Sequence, residues 1–100
     1  MKKLFISQPM RGKTEAEITK ERVEAIAKAR ELVNDEISVL DTYFSNYDGH
    51  PLKFLAKSID KLAEADIVFF AKGWKDARGC MIEHACAVEY GIPIILYYND

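Results

Sequence analysis

The chain has 100 residues, of which 49% are hydrophobic and 30% charged, and its formal net charge is −2 at pH 7. This balance is typical of a globular protein and excludes a disordered chain. The absence of a basic excess also excludes a general binder of polymeric nucleic acid, although a small nucleotide needs only a local basic patch.

A chain of this length is expected to form one domain, 1–100, with a small core. The apolar run that follows Met1 ends at Ser7, which is too short for a secretory signal, and no run approaches the roughly 20 apolar residues of a membrane span. Cys80 and Cys86 fall on roughly opposite faces of one predicted helix, so they cannot pair with each other. Free thiols suit a reducing compartment. We therefore expect a cytoplasmic protein that does not bind membranes.

The first half of the chain predicts a strand, a helix and a second strand. The first strand covers Lys2 to Ser7. Thr14 to Glu17 has the Thr-x-x-Glu form of a capping box and opens a helix that ends near Asn34. The second strand covers Ile37 to Leu40, and the polar loop Asp41 to His50 follows it. The predicted inward stripe of the helix consists of Ile18, Ala25, Ile26, Ala29, Leu32 and Val33.

The second half predicts two helices and two strands. Pro51 suits the first turn of a helix that runs to about Glu64, with Leu52, Leu55, Ile59 and Leu62 facing inward. A third helix runs from Arg78 to Tyr90 and is closed by Gly91. Two continuous apolar runs, typical of strands buried on both faces, cover Ile67 to Phe70 and Ile92 to Tyr97.

The alternating order of strands and helices predicts an α/β fold with a mostly parallel four-stranded sheet and helices on both faces. In such folds a ligand binds beyond the carboxyl ends of the strands, where the strand order reverses. This rule selects three loops, namely Ser7 to Lys13, Asp41 to His50 and Ala71 to Ala77.

The first of these loops is a candidate anion site. It carries a hydroxyl, an amide and a guanidinium just before a helix N-terminus, which favours negative charge. Its residues are Ser7, Gln8, Pro9, Met10, Arg11 and Gly12. The alternative is a solvated surface loop, in which proline and glycine only shape the turn.

Glu83 and Asp66 are the candidate catalytic carboxylates. Glu83 lies about one turn into the third helix, near the expected cleft, where a carboxylate could attack an anomeric carbon. An ion pair with Arg78 or Lys75, or a solvated helix face, is the commoner role for a lone helical glutamate. Asp66 precedes the third strand, and position alone favours a turn or cap residue there.

Two further groups of residues have the chemistry of a metal site or of an aromatic stacking site. Cys80, Glu83 and His84 have helical spacings, but they form no recognised ligand pattern, so we expect no metal and no cofactor. His50 is interpreted as a loop residue. The aromatic residues of the cleft loops suit stacking on a base or packing in a core or a dimer: Tyr43, Phe44, Tyr47 and Trp74.

Three motifs together resemble the nucleoside 2-deoxyribosyltransferase superfamily. They are Ala65 to Phe70, Gly79-x-x-x-Glu83-x-Ala85-x-Ala87, and Gly91 to Ile94. The opening Ser-x-Pro-Met-Arg-Gly is similar to the 2′-deoxynucleoside 5′-phosphate N-hydrolase branch. It is still more similar to an often phage-borne group of unassigned activity that has this motif and a Gly-Trp motif.

The resemblance implies a flavodoxin-like α/β/α fold with strand order 2-1-3-4, and a homodimer or higher oligomer in which a neighbouring subunit helps to close the site. It implies that Glu83 attacks C1′ of a nucleoside or nucleoside 5′-monophosphate and that Asp66 supports the site. Ser7 and Arg11 would contact sugar or phosphate. The further substrate-binding residues that it implies are Pro9, Met10, Gly12, Trp74, Asp76, Gly79 and Asn99.

The sequence departs from the family pattern near Ala77, which leaves alternatives for the substrate and for the activity. The 5′-phosphate hydrolases carry a serine at the position of Ala77, and the transferases carry an aspartate near it, which Asp76 matches one position away. Besides hydrolase and transferase, the alternatives are a nucleotide-binding protein without turnover and a small accessory protein whose dimer binds another protein.

Overall fold

The fold is described by a computed structural model that covers residues 1–40 and 50–96. The elements in chain order are β1 (Lys2–Ser7), α1 (Glu15–Val33), β2 (Ile37–Val39), α2 (Pro51–Leu62), β3 (Ile67–Phe70), a short 3-10 helix (Trp74–Asp76), α3 (Arg78–Glu89) and β4 (Ile94–Leu96). Every predicted strand and helix is present, with ends shifted by one or two residues where they differ. The 3-10 helix lies in a stretch for which the sequence predicts a loop.

The four strands form one parallel sheet in the order β2-β1-β3-β4, which confirms the predicted α/β fold and strand order. The chain passes from β1 to β2 in one direction and then returns across β1 to reach β3 and β4. Parallel crossovers are right-handed, so the β1–β2 crossover places α1 on one face of the sheet. The β2–β3 and β3–β4 crossovers place α2 and α3 on the opposite face. The strand order therefore reverses between β1 and β3.

The pleat of the strands divides the core into two layers, because successive side chains point to opposite faces. One layer packs strand residues against α2 and α3: Phe5, Val68 and Phe70 with Leu62, Cys80 and Ala87. The other packs them against α1: Leu4, Ile6, Phe69 and Ala71 with Ala25 and Ala29. The result is the expected three-layer α/β/α arrangement.

Both ends of α1 are fixed by the residues that the sequence marks. The Thr14 hydroxyl accepts a hydrogen bond from the Glu17 N–H at 3.2 Å, and the Glu17 carboxylate accepts one from the Thr14 N–H at 3.1 Å. These two bonds form the predicted capping box, and those to Thr14 lower the pKa of Glu17. At the other end Asn34 adopts a left-handed conformation, with φ 55°, and its N–H bonds to the carbonyl of Arg30.

Two residues of the predicted inward stripes are exposed. Leu32 is 58% exposed, and Leu52 is 65% exposed. α1 has 19 residues and is about 28 Å long, whereas the six residues of β1 span about 20 Å, so the last turn of α1 has no strand to cover it. Leu52 lies in the first turn of α2, and the buried positions of that helix, Ser58 and Leu62, come later.

No helix in the two described ranges has both the length and the apolar character needed to cross a membrane.

Candidate active site

Two buried polar side chains meet at the carboxyl end of β1. Ser7 ends this strand and points to the same face as Phe5, toward α3, because side chains alternate along the strand. Its Oγ donates a hydrogen bond to Oε1 of Glu83 at 2.6 Å. Ser7 is 1% exposed and Glu83 is 6% exposed. The fold thus brings two of the predicted site residues into direct contact where the strand order reverses.

Glu83 has an unusual electrostatic environment for a helical glutamate. Burial raises its pKa from 4.5 to about 7, and the hydrogen bond from Ser7 opposes that rise. In the described part of the chain neither Arg78 nor Lys75 forms an ion pair with it, and the Lys75 Nζ instead lies 5.8 Å from the centroid of the Trp74 ring. The carboxyl group is therefore partly ionised at neutral pH, and no cation among the described residues pairs with it in a way that would reduce its nucleophilicity.

Cys80 lies on α3 one turn before Glu83 and is buried with it. Burial raises the pKa of its thiol from 9.0 to about 11, a hydrogen bond with Ser7 opposes the rise, and Glu83 adds to it. Cys80 is therefore a neutral thiol at physiological pH. Cys80 and Cys86 are both free, as the helical spacing predicts.

The two loops that flank the site touch each other. A Cβ added to Gly73 would lie 3.5 Å from Cγ of Pro9, so the chain after β3 passes close to the loop after β1. The Lys13 N–H donates to the carbonyl of Met10 at 3.2 Å, and Gly12 has a φ of 78°, which glycine adopts without strain in such a turn. Arg11 and Gly12 are exposed, while Pro9 and Met10 are half-buried. This turn forms the rim beside Ser7.

Gln8 has a role that the sequence did not single out. It is 6% exposed and points to the opposite face from Ser7, toward α1. Its Nε2 donates to the carbonyl of Ile18 at 3.2 Å, and its Oε1 accepts from Nη1 of Arg22 at 3.1 Å. Arg22 also donates to the carbonyl of Leu40. The amide therefore fixes the start of the loop after β1 onto α1, a contact that no local sequence pattern signals.

The structure does not bring Asp66 to Glu83. Asp66 immediately precedes β3, and its Oδ2 accepts a hydrogen bond from the Lys3 N–H at 2.8 Å. Lys3 is the second residue of β1, whereas Ser7 is its last, so the two carboxylates lie at opposite ends of the parallel strands. Lys3 and Ser7 are four positions apart, which corresponds to about 13 Å along the strand. The carboxylate of Asp66 therefore caps a backbone N–H, the kind of role that its position before a strand favours, and its support of the site stays a prediction of the resemblance.

Trp74 lies in the 3-10 helix, 5% exposed, and packs on His84 rather than opening to solvent. The two rings are stacked with centroids 4.4 Å apart, and Phe70 contacts both. The indole N–H of Trp74 is buried without a hydrogen-bond partner in the described part of the chain. The expectation that Trp74 stacks on a bound base has no support in this packing.

Two of the remaining predicted residues lie next to or in the first turn of α3. Asp76 is exposed in the 3-10 helix, and Gly79 is half-buried near Leu55. Asn99 and the aromatic residues of the second loop, Tyr43, Phe44 and Tyr47, lie outside the described residues. His50 caps α2, because its Nδ1 accepts a hydrogen bond from the Leu52 N–H at 3.0 Å.

A search of residues 1–40 and 50–96 finds no group of three or more metal-binding side chains. Neither a scan against protein-family models nor a search of curated proteins finds a match to the chain.

Proposed function

We propose that this protein cleaves or transfers the N-glycosidic bond of a nucleoside or nucleoside 5′-monophosphate, with Glu83 as the nucleophile. The observation that carries the proposal is the buried carboxylate of Glu83, which lies where the strand order reverses and is bonded to a hydroxyl instead of a cation. Ligands of open α/β sheets bind at this position.

The chemistry needs an ionised carboxylate that is poorly solvated. An oxygen of Glu83 would attack C1′ of the sugar, a C1′–O bond would form, and the C1′–N bond would break with its electron pair leaving on the base. The base nitrogen would take a proton from water. Water, or the ring nitrogen of a second base, would then attack C1′ and release the carboxylate. A pKa of about 7 leaves a substantial fraction of Glu83 ionised at neutral pH.

The loop after β1 is the proposed contact for sugar or phosphate. Arg11 is exposed, and no ion pair or hydrogen bond of its side chain is recorded within residues 1–40 and 50–96, so its guanidinium is free to meet an anion. It follows a half-buried Pro9–Met10 segment that leads directly from Ser7. Arginine binds phosphate oxygens in a bidentate manner, which suits a 5′-monophosphate.

One observation favours the alternative of a nucleotide-binding protein without turnover. Retaining glycosidases place two carboxyl groups about 5 Å apart, one of which protonates the leaving group. Asp66, the other candidate carboxylate, lies at the amino ends of the parallel strands, whereas Glu83 lies at their carboxyl ends. A nucleobase can leave with less assistance than an alcohol when it is protonated by solvent, so the single carboxylate makes turnover slower without removing the route.

The proposed homodimer rests on the outer face of α3. Met81 is 45% exposed, Ile82 is 39% exposed and Val88 is 56% exposed, and the 81–85–88 spacing puts apolar side chains on one helical stripe. A second copy packed there would cover this surface. Sedimentation equilibrium of the wild type and of a Val88→Glu variant tests this, since the charged variant is expected to shift the chain toward monomer.

Base release from a panel of nucleosides and their 5′-monophosphates, both ribo and deoxy, tests the function. The panel is run with and without an acceptor base, because transfer depends on how well the closed site excludes water. Glu83→Gln is expected to lose release, and Glu89→Gln, an exposed glutamate near the end of the same helix, serves as the matched control. Release that persists in Glu83→Gln would contradict the proposal. Binding without release would support the alternative.

A further inference from the structure

The Ser7 hydroxyl lies between two buried groups on α3. It donates to Oε1 of Glu83 at 2.6 Å, and the buried thiol of Cys80, whose pKa Ser7 lowers, is its other neighbour on that helix. A serine hydroxyl has one proton to donate and lone pairs to accept with. The neighbour that accepts this proton is the group whose ionised form Ser7 stabilises.

Cys80 does not compete with Glu83 for the proton of Ser7. Burial raises the pKa of its thiol to about 11, so Cys80 is neutral at physiological pH and is only a weak acceptor. An ionised Glu83 has no proton and can only accept. The Ser7 hydroxyl therefore donates to the Glu83 carboxylate, which is the hydrogen bond of 2.6 Å.

We propose that Ser7 is the positioning residue for the nucleophile: its hydroxyl donates to Oε1 of Glu83, holds this buried carboxylate in its ionised form and leaves Oε2 as the attacking oxygen. This inference rests on the proposed function of Glu83. It differs from the expectation drawn from the sequence, in which Ser7 contacts sugar or phosphate.

Glu83 depends on Ser7 because no other group among the described residues offsets its burial. The elements packed against α3 include β1, α2, β3 and the 3-10 helix, and no charged group of theirs contributes to the shift of the Glu83 pKa. Lys13, in the loop after β1, acts on Cys80 and is itself paired with Glu21 at 2.7 Å. Oε2 has no hydrogen-bond partner among the described residues.

The direct test is a ¹³C NMR titration of the Glu83 carboxyl group in the free protein, with the resonance assigned by its loss in Glu83→Gln. Because a hydrogen bond to a charged group is removed, Ser7→Ala is expected to raise the Glu83 pKa by about one to two units. Ser7→Gly is a second variant with the same expectation, should alanine not fold. Ser7→Thr keeps the hydroxyl and is expected to restore the wild-type value. Ser58→Ala, a buried serine of α2, is the matched control and leaves the pKa unchanged.

The pH dependence of base release separates positioning from substrate contact. Near pH 7 the ionised fraction of Glu83 in Ser7→Ala falls by about 5- to 50-fold for that shift, and release is expected to fall equally and to recover as the pH rises. A release defect with an unchanged Glu83 pKa and an unshifted profile would overturn the inference in favour of a substrate contact. A raised pKa in Ser7→Ala, in a protein whose wild type releases no base, would support the positioning role and refute the proposed function.

Discussion

The two carboxylates of the predicted catalytic pair lie at opposite ends of the parallel strands, here called the carboxyl edge and the amino edge of the sheet. Their environments differ. At the carboxyl edge Glu83 is buried, bonded to a side-chain hydroxyl, and has a pKa raised to about 7. At the amino edge Asp66 is exposed and accepts a backbone N–H from the neighbouring strand. The same functional group is thus a reactive candidate in one place and a structural cap in the other. Its position along the parallel strands, rather than its residue type, makes the difference.

The largest expected difference between the two edges is in activity. Glu83→Gln removes the nucleophile and is expected to lower kcat/KM for base release by on the order of 10³-fold or more. Asp66→Asn keeps an acceptor for the Lys3 N–H and is expected to change kcat/KM by less than about threefold, because its side chain is remote from the reacting atoms. Comparable losses in the two variants would show that Asp66 takes part in the reaction and would break the comparison.

The second difference is in how stability depends on pH. The Glu83 carboxyl has a pKa of 4.5 when unfolded and about 7 when folded. Between these values the folded state keeps a proton that the unfolded state has released, so the free energy of unfolding falls as the pH rises through this window. Above pH 7 this loss in the free energy of unfolding approaches about 3 kcal/mol.

Urea denaturation of the wild type and Glu83→Gln at pH 5 and pH 8 measures this loss. The glutamine variant is expected to lose the fall in stability that the wild type shows across the window, and Asp66→Asn is expected to keep it. Identical pH dependence in the wild type and Glu83→Gln would mean that Glu83 titrates normally and that its burial does not govern its ionisation.

A smaller effect on stability is expected at the start of α1, where the loop that follows β1 ends. Thr14→Ala removes the capping hydroxyl and is expected to lower the free energy of unfolding by about 1 kcal/mol. Thr19→Ala, at an exposed position within the same helix, is the matched control, because alanine favours the helix interior. Thermal unfolding of both variants gives the comparison, and equal stability of the two would contradict the capping role.

The smallest expected effect is the loss of the Asp66 cap. Asp66→Ala leaves the Lys3 N–H without its side-chain acceptor, but this site is exposed and water replaces the oxygen, so a loss of about 0.5 kcal/mol is expected. Chemical denaturation at pH 7 measures it. A loss of several kcal/mol would show that the amino edge contributes far more to stability than a single exposed hydrogen bond allows.

The fold could be predicted because local signals and the global topology agree. The apolar runs of β1 and β3 and the capping box at Thr14 lie where the sequence indicates, and α1 ends next to Asn34 as predicted. Leu32 was misjudged because helical periodicity says which face is apolar but not how far the sheet extends beneath it. The 3-10 helix was missed because three residues are too few to carry a periodic pattern.

The candidate site could be predicted only in part. Glu83 and Ser7 were both selected, but their contact joins residues 76 positions apart and depends on the pleat of β1 and the rotation of α3. Asp66 was selected by resemblance, although its place before a strand already indicated a cap. Gln8 and the stacking of Trp74 on His84 depend on tertiary packing that no local pattern carries.

The proposed reaction requires Glu83 to form a covalent bond to the sugar. Mass spectrometry detects this bond in protein that is quenched with acid during turnover of a substrate from the panel and then digested with protease. A glycosyl adduct is expected on the peptide that contains Glu83 in the wild type, and none in Glu83→Gln. Base release without an adduct, or an adduct on a different peptide, would contradict it.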